Sequence, residues 1–91
     1  AGGSSDAAAV LTGMNKLFNC KIDISELMSA GKQLGADIPY CIKGGTVLAE
    51  GIGDILTELA TIPKTYLVLV VPKFEVSTKW VYENFNFNII V

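Results

Sequence analysis

Histidine is absent from the 91 residues and arginine is too, so all seven basic side chains are lysines. The first absence removes histidine-based general-base catalysis and most zinc sites that this chain would build by itself. The second leaves seven scattered lysines and a net charge of −2, with no basic patch to track a phosphate backbone, so nucleic acid is not an expected partner. Cysteine is scarce: Cys20 and Cys41 have no CxxC spacing and sit among apolar or neutral neighbours. Both are read as reduced packing residues of a cytoplasmic protein, with a disulfide between them as the alternative. The longest strongly apolar run, Tyr66 to Val71, falls far short of the roughly 20 residues a membrane-spanning helix needs, so no membrane role is expected. The first residues show no charged region followed by an apolar one, hence no secretory signal is read there. No internal repeat stands out.

What is present is apolar. Hydrophobic residues make up 51% of the chain and the mean hydropathy is +0.46, above the about 45–50% of ordinary soluble domains even when glycine is counted. A chain this short is expected to bury little more than about 60% of its unfolded surface. The surplus therefore predicts faces made to pack against other sequence, and self-association as one means of covering them.

Gly2-Gly3-Ser4-Ser5 runs from Ala1 into Asp6-Ala7-Ala8-Ala9 and reads as a loop opening a helix. Ala7, Leu11, Met14 and Phe18, with Val10 and Leu17 beside them, recur at helical spacing and predict one apolar face. Gly13 weakens that helix by about 1 kcal/mol relative to alanine. The pattern breaks over Asn19 to Ile22. Asp23-Ile24-Ser25-Glu26 then has capping-box form and predicts a second helix, with Leu27, Ala30 and Leu34 buried and Gly35 ending it in a left-handed conformation. Ile38, before Pro39, is biased towards extended backbone, which puts Asp37 in a loop between a helix and a strand.

Tyr40-Cys41-Ile42 and Thr46 to Glu50 look like short strands joined at Lys43-Gly44-Gly45 as a hairpin. Gly51-Ile52-Gly53-Asp54 is a further turn, and Ile55 to Leu59 extends as a strand. Tyr66 to Val71 is the strongest strand signal and is expected to be buried, with Pro72 ending it. Ser77-Thr78 is placed to cap a last helix holding Trp80, Val81 and Tyr82, and an Asn-rich end follows. The fold class is α+β.

Two elements carry chemistry. A glycine and serine segment at a helix N-terminus offers free N–H groups, the positive end of the helix dipole and room for close approach, all of which suit a phosphate. A capped loop has the same composition, and the segment is no Walker A motif, because no Gly-Lys-Ser/Thr ends it. Asp37 by itself is a solvated turn residue. Facing one cleft with the phosphate segment, it would accept a proton from an attacking hydroxyl or orient it.

These residues, taken together, resemble a known family. Gly2 to Ala8 (GGSSDAA) is similar to the end of the second motif of the GHMP kinases, their glycine-rich ATP phosphate loop. Leu34 to Pro39 (LGADIP), Gly44 to Asp54 (GGTVLAEGIGD) and Ser77 to Tyr82 (STKWVY) resemble, in order, three segments of the family's diphosphocytidyl methylerythritol kinase branch. The resemblance implies ATP-dependent phosphorylation of the 2-hydroxyl of the diphosphocytidyl substrate, with Mg²⁺ on the triphosphate. Asp37 would be the catalytic residue, Gly2, Gly3, Ser4 and Ser5 the phosphate loop, Tyr82 a stacking partner for the cytosine and Thr78 a neighbour of the substrate. It implies a two-domain fold, with residues 1–62 in the ATP-binding domain and 63–91 opening the C-terminal one. It also implies an internal fragment without the family's catalytic lysine, whose position none of the seven lysines matches, and so inactive alone. The rival expectation is a noncatalytic, self-associating binding module.

Overall fold

The computed structural model describes residues 2–89; Ala1, at the head of the glycine and serine stretch, and Ile90-Val91, at the end of the Asn-rich tail, lie outside them. Helix α1 spans Gly2–Leu17, α2 Ile24–Leu34 and α3 Ile38–Lys43; strands β1 (Val47–Glu50) and β2 (Ile55–Glu58) follow, then α4 (Thr78–Glu83) and a 3-10 turn, Phe87–Ile89. Helices with a two-stranded antiparallel sheet make the α+β class expected from the sequence.

Helix α1 takes in Gly2 to Ser5, which are its first turn and not a preceding loop. The alanine run behind them is the best helix-forming segment of the chain, and it propagates the helix back through the glycines. The helix ends where the pattern breaks. Asn19 and Lys21 both adopt left-handed φ values, 49° and 56°. The Asn15 side chain grips this turn twice, donating to the Ile22 carbonyl at 2.9 Å and accepting from the Ile22 N–H at 3.0 Å. Asp23 then caps α2 by accepting from the Glu26 N–H at 3.0 Å.

Among the described residues, Ala8, Leu27 and Ile38 are the buried hydrophobic side chains, one from each of the first three helices. Their small number makes the core thin. Of the face expected on α1, Ala7 and Leu11 are half-buried while Val10, Met14, Leu17 and Phe18 stay exposed. On α2, Leu27 is buried as expected, but Ala30 is exposed and Leu34 is 69% exposed. Gly31 takes the central contact because α3 approaches there, and an added Cβ would meet Ile38 Cγ2 at 2.6 Å.

Three expectations are corrected around Gly35. Its φ of −178° is extended backbone and not the left-handed cap. Ile38 starts a helix, because Pro39 sits within the first turn, where its missing N–H has no helical partner to lose. Tyr40-Cys41-Ile42 is therefore helical, and Asp37 joins helix to helix. The hairpin lies one connection later, with Val47 opposite Glu58 and Glu50 opposite Ile55. Gly44 and Gly45, at φ 68° and 78°, carry the chain out of α3 into β1 instead of forming the hairpin turn. The Tyr40 hydroxyl donates to the Gly45 carbonyl at 3.0 Å, and Lys43 pairs with Glu58 at 3.4 Å, fastening the sheet to α3.

From Thr57 on, the described side chains are exposed. Tyr66 to Val71 forms no strand among the described residues, and Val68 is 92% exposed. The residues have high strand propensity, but a strand needs a ladder partner, and none of the described segments offers one. Cys20 is exposed and Cys41 half-buried, both as free thiols, so only Cys41 packs as expected. The surface of 7954 Å² exceeds the about 5,100 Å² of a compact chain of this mass. The radius of gyration, 16.4 Å, likewise exceeds the about 12 Å of a compact domain. No described helix is long and apolar enough to cross a membrane.

Candidate active site

Asp37 occupies the corner between α2 and α3. The Gly35 N–H closes α2 on the Gly31 carbonyl at 3.1 Å, and the Ile38 N–H turns back to the Gly35 carbonyl at 3.3 Å. This tight turn delivers Asp37 to the N-cap position of α3 with φ −84° and ψ −14°, and its side chain makes no capping bond. The carboxylate is exposed. One wall beside it is backbone: a Cβ built on Gly53, in the β1–β2 turn, would stand 3.7 Å from Asp37 Oδ1.

Gly2, Gly3, Ser4 and Ser5 form the first turn of α1, whose N–H groups have no acceptor within a helix. A Cβ on Gly2 or Gly3 would meet nothing within 4 Å, so packing within the chain does not explain the glycines there. Helix α1 packs on α3, the helix Asp37 opens, so both belong to one three-helix unit. No hydrogen bond or ion pair between described residues links Asp37 to that first turn.

Thr78 and Tyr82 stand apart. Ser77 caps α4 by accepting from the Trp80 N–H at 3.4 Å, as its sequence predicts. However, α4 lacks the packing that joins α1, α2 and α3, and Tyr82 is 75% exposed. An apolar hollow of about 480 Å³ beside α4 is lined by Trp80, Val81, Phe85 and Ile89 with Asn84 and Asn86, not by Thr78 or Tyr82. These described residues do not bring the two to Asp37.

The strongest electrostatic feature near Asp37 was not singled out in the sequence. Lys32, in the last turn of α2, pairs with Asp54 Oδ2 at 2.5 Å. Asp54 Oδ1 accepts from the Ile52 N–H at 3.2 Å. The lysine bond above all, with the Ile52 N–H assisting, holds the Asp54 carboxyl below its usual value. Asp23 is likewise held low, by the Ser25 hydroxyl first and the Glu26 N–H next. The sequence signals for Asp54 were its place after Gly51-Ile52-Gly53 and at the end of the Gly44 to Asp54 segment, and neither points to Lys32, which lies on another element.

The first turn of α1, with N–H groups that lack helical acceptors, and Asp37, whose carboxylate makes no capping bond, belong to two helices that pack together. Residues 1–45, just under half of the chain, match the GHMP kinases N terminal domain. The chain is 59% identical over 88 residues to the 4-diphosphocytidyl-2-C-methyl-D-erythritol kinase of Acetivibrio thermocellus, covering 97% of this chain and 31% of that protein. To the protein of the same name from Clostridium beijerinckii it is 55% identical over 91 residues, 100% of this chain and 32% of the relative. The one from Clostridium perfringens is 53% identical over 88 residues, 97% and 31% of the two chains. The chain thus spans about a third of the length of the curated relatives it matches.

Proposed function

We propose that this chain is part of an ATP-dependent kinase that phosphorylates the 2-hydroxyl of 4-diphosphocytidyl-2-C-methyl-D-erythritol, in non-mevalonate isoprenoid precursor synthesis. The observation that carries this is identity of 53–59% across nearly the whole chain to proteins bearing that kinase's name. In the reaction the substrate oxygen bonds to the γ-phosphorus, the bond to the β-phosphate oxygen breaks, ADP leaves, and the hydroxyl proton is lost. Asp37 is the acceptor or orienting group for that proton, a role supported by its uncapped carboxylate. Gly2, Gly3, Ser4 and Ser5 receive phosphate oxygens on free N–H groups, supported by the open space over the first turn. Thr78 and Tyr82 are assigned to the cytidyl substrate on the resemblance of their segment.

Among the described residues no three His, Cys, Asp or Glu side chains gather to hold a metal. In this reading Mg²⁺ accompanies the triphosphate, whose charge it would help to neutralise. Residues 1–62 are read as part of the ATP-binding domain and 63–91 as the start of the second. A cytoplasmic setting agrees with two unpaired thiols. The second reading, a self-associating module, is favoured by the exposed run from Tyr66 to Val71.

The test is Asp37→Asn in the full-length protein that carries this segment, assayed with ATP and the diphosphocytidyl substrate. Loss of a general base lowers kcat by about 10²–10⁴-fold. A variant with undiminished kcat would remove Asp37 from the chemistry, and a parent protein inert towards this substrate would overturn the kinase assignment.

A further inference from the structure

We infer that Asp54 and Lys32 are positioning residues, which hold the β1–β2 turn so that the Gly53 backbone stands against the Asp37 carboxylate. The inference rests on the reading that Asp37 acts on the substrate hydroxyl, and it names what keeps that group in place.

The turn depends on its two glycines. Gly51 and Gly53 have φ values of 68° and 99°, in the region that glycine alone enters easily. Gly51 is also crowded, since a Cβ there would lie 2.9 Å from Asp54 Oδ1 and 3.3 Å from Ile55 Cδ1. Two bonds close the turn internally: the Gly53 N–H donates to the Glu50 carbonyl at 3.1 Å, and the Ile52 N–H donates to Asp54 Oδ1.

The remaining oxygen of Asp54 reaches across to Lys32 on α2. The Asp54 side chain is 10% exposed, so this pair is shielded on its acidic side, unlike the other two ion pairs among the described residues, whose carboxylates are open to water. Lys32 belongs to the turn of α2 that leads through Gly35 to Asp37. The same pair lines a hollow of about 210 Å³ with Pro39, two residues past Asp37. One ion pair therefore ties together the two segments that border Asp37, the end of α2 and the glycine turn. A two-stranded sheet is weak alone, and the bonds from Tyr40 and Lys43 fasten it only at its base, so the pair is what tethers the turn beside Asp37.

A displacement near 1 Å at a reacting group costs up to about 10²-fold in rate. In the full-length protein, Lys32→Met, which keeps the aliphatic stem, and Asp54→Asn are each expected to lower kcat by about tenfold, with KM for ATP little changed. Lys32→Arg, which keeps the charge, is expected to retain kcat. The double variant is expected to be no worse than the weaker single one, because both remove the same tether. Rates are referred to the folded fraction measured by circular dichroism. Wild-type kcat per folded molecule in both Lys32→Met and Asp54→Asn, while Asp37→Asn is dead, overturns the positioning role alone. Full kcat in Asp37→Asn overturns the role assigned to Asp37, and this inference with it. A Lys32→Arg variant as slow as Lys32→Met also overturns it, since charge would then not be what matters.

Discussion

Gly31 and Gly13 are both helical glycines, and replacing each with alanine should move stability in opposite directions. In an open helix interior, alanine is better than glycine by about 1 kcal/mol. Gly13 has that open setting, since an added Cβ would meet nothing within 4 Å. Gly31 is buried where α2 meets α3, and its Cβ would fall 2.6 Å from Ile38 Cγ2, 3.4 Å from Ile38 Cβ and 3.1 Å from Ile42 Cδ1. Ile38 is 4% exposed and β-branched, so its methyl cannot swing aside without shifting α3. Overpacking of this kind costs about 1–3 kcal/mol, and the helix gain recovers about 1, leaving Gly31→Ala destabilising by about 1 kcal/mol. Amide exchange read at α2 and α3 resolves this, as about 1.4 kcal/mol is tenfold in an opening constant. Protection in those helices should fall about fivefold in Gly31→Ala, while α1 protection in Gly13→Ala should rise by a similar factor. Equal stabilisation by both substitutions would refute the close α2–α3 approach on which the placement of Asp37 depends.

Acid should loosen the same corner. Asp54 and Asp23 have folded-state pKa values below the ordinary 3.8, so their stabilising contribution is fully present above the unfolded value and is lost as pH falls through the lower folded one. Denaturation midpoints should therefore fall with acid below about pH 4, and the slope should flatten in Asp54→Asn and Asp23→Asn; an unchanged slope in both would refute the assignment. Self-association of the isolated 91-residue chain is also expected, through the exposed Tyr66 to Val71 run, and Val68→Lys with Val70→Lys should weaken it in sedimentation. A wild-type chain that sediments as a cooperatively folded monomer would refute this.

Features set by local chemistry were legible in the sequence. Asp23 and Ser77 cap helices because a short polar side chain two or three residues before an apolar run finds a free N–H wherever the rest of the chain goes. The break after Phe18 and the turn at Gly51 to Asp54 were legible for the same reason. Tyr40-Cys41-Ile42 was not, because three apolar residues fit either period and Pro39 suits both a strand edge and a helix start. Gly35 misled in another way: glycine allows a left-handed cap without requiring one, and here the chain passes extended into the Asp37 turn. Of the candidate site, motif order supplied Asp37 and the first turn of α1. The Lys32–Asp54 pair lay out of reach, because nothing in either local sequence says that a helix end and a hairpin turn will meet.

The division between what packs and what does not also bears on function. Asp37 and the first turn of α1 lie in the half that holds itself together, through Ala8, Leu27 and Ile38. Thr78 and Tyr82 lie beyond an extended segment whose side chains are nearly all in water. Tyr66 to Val71 has the composition of a buried strand but lies exposed with no ladder partner among the described residues, and a row of unpaired N–H and C=O groups is a demand for one. If the cytidyl group is to meet Tyr82 while its hydroxyl meets Asp37, that demand must be met first, since the segment's pairing fixes where α4 goes. If α4 takes the substrate as proposed, that role is conditional on a strand partner, whereas the corner at Asp37 is bordered by the packed helix trio and the Lys32–Asp54 pair. Substitutions in the run from Tyr66 to Val71 should accordingly raise KM for the diphosphocytidyl substrate before they touch the environment of Asp37.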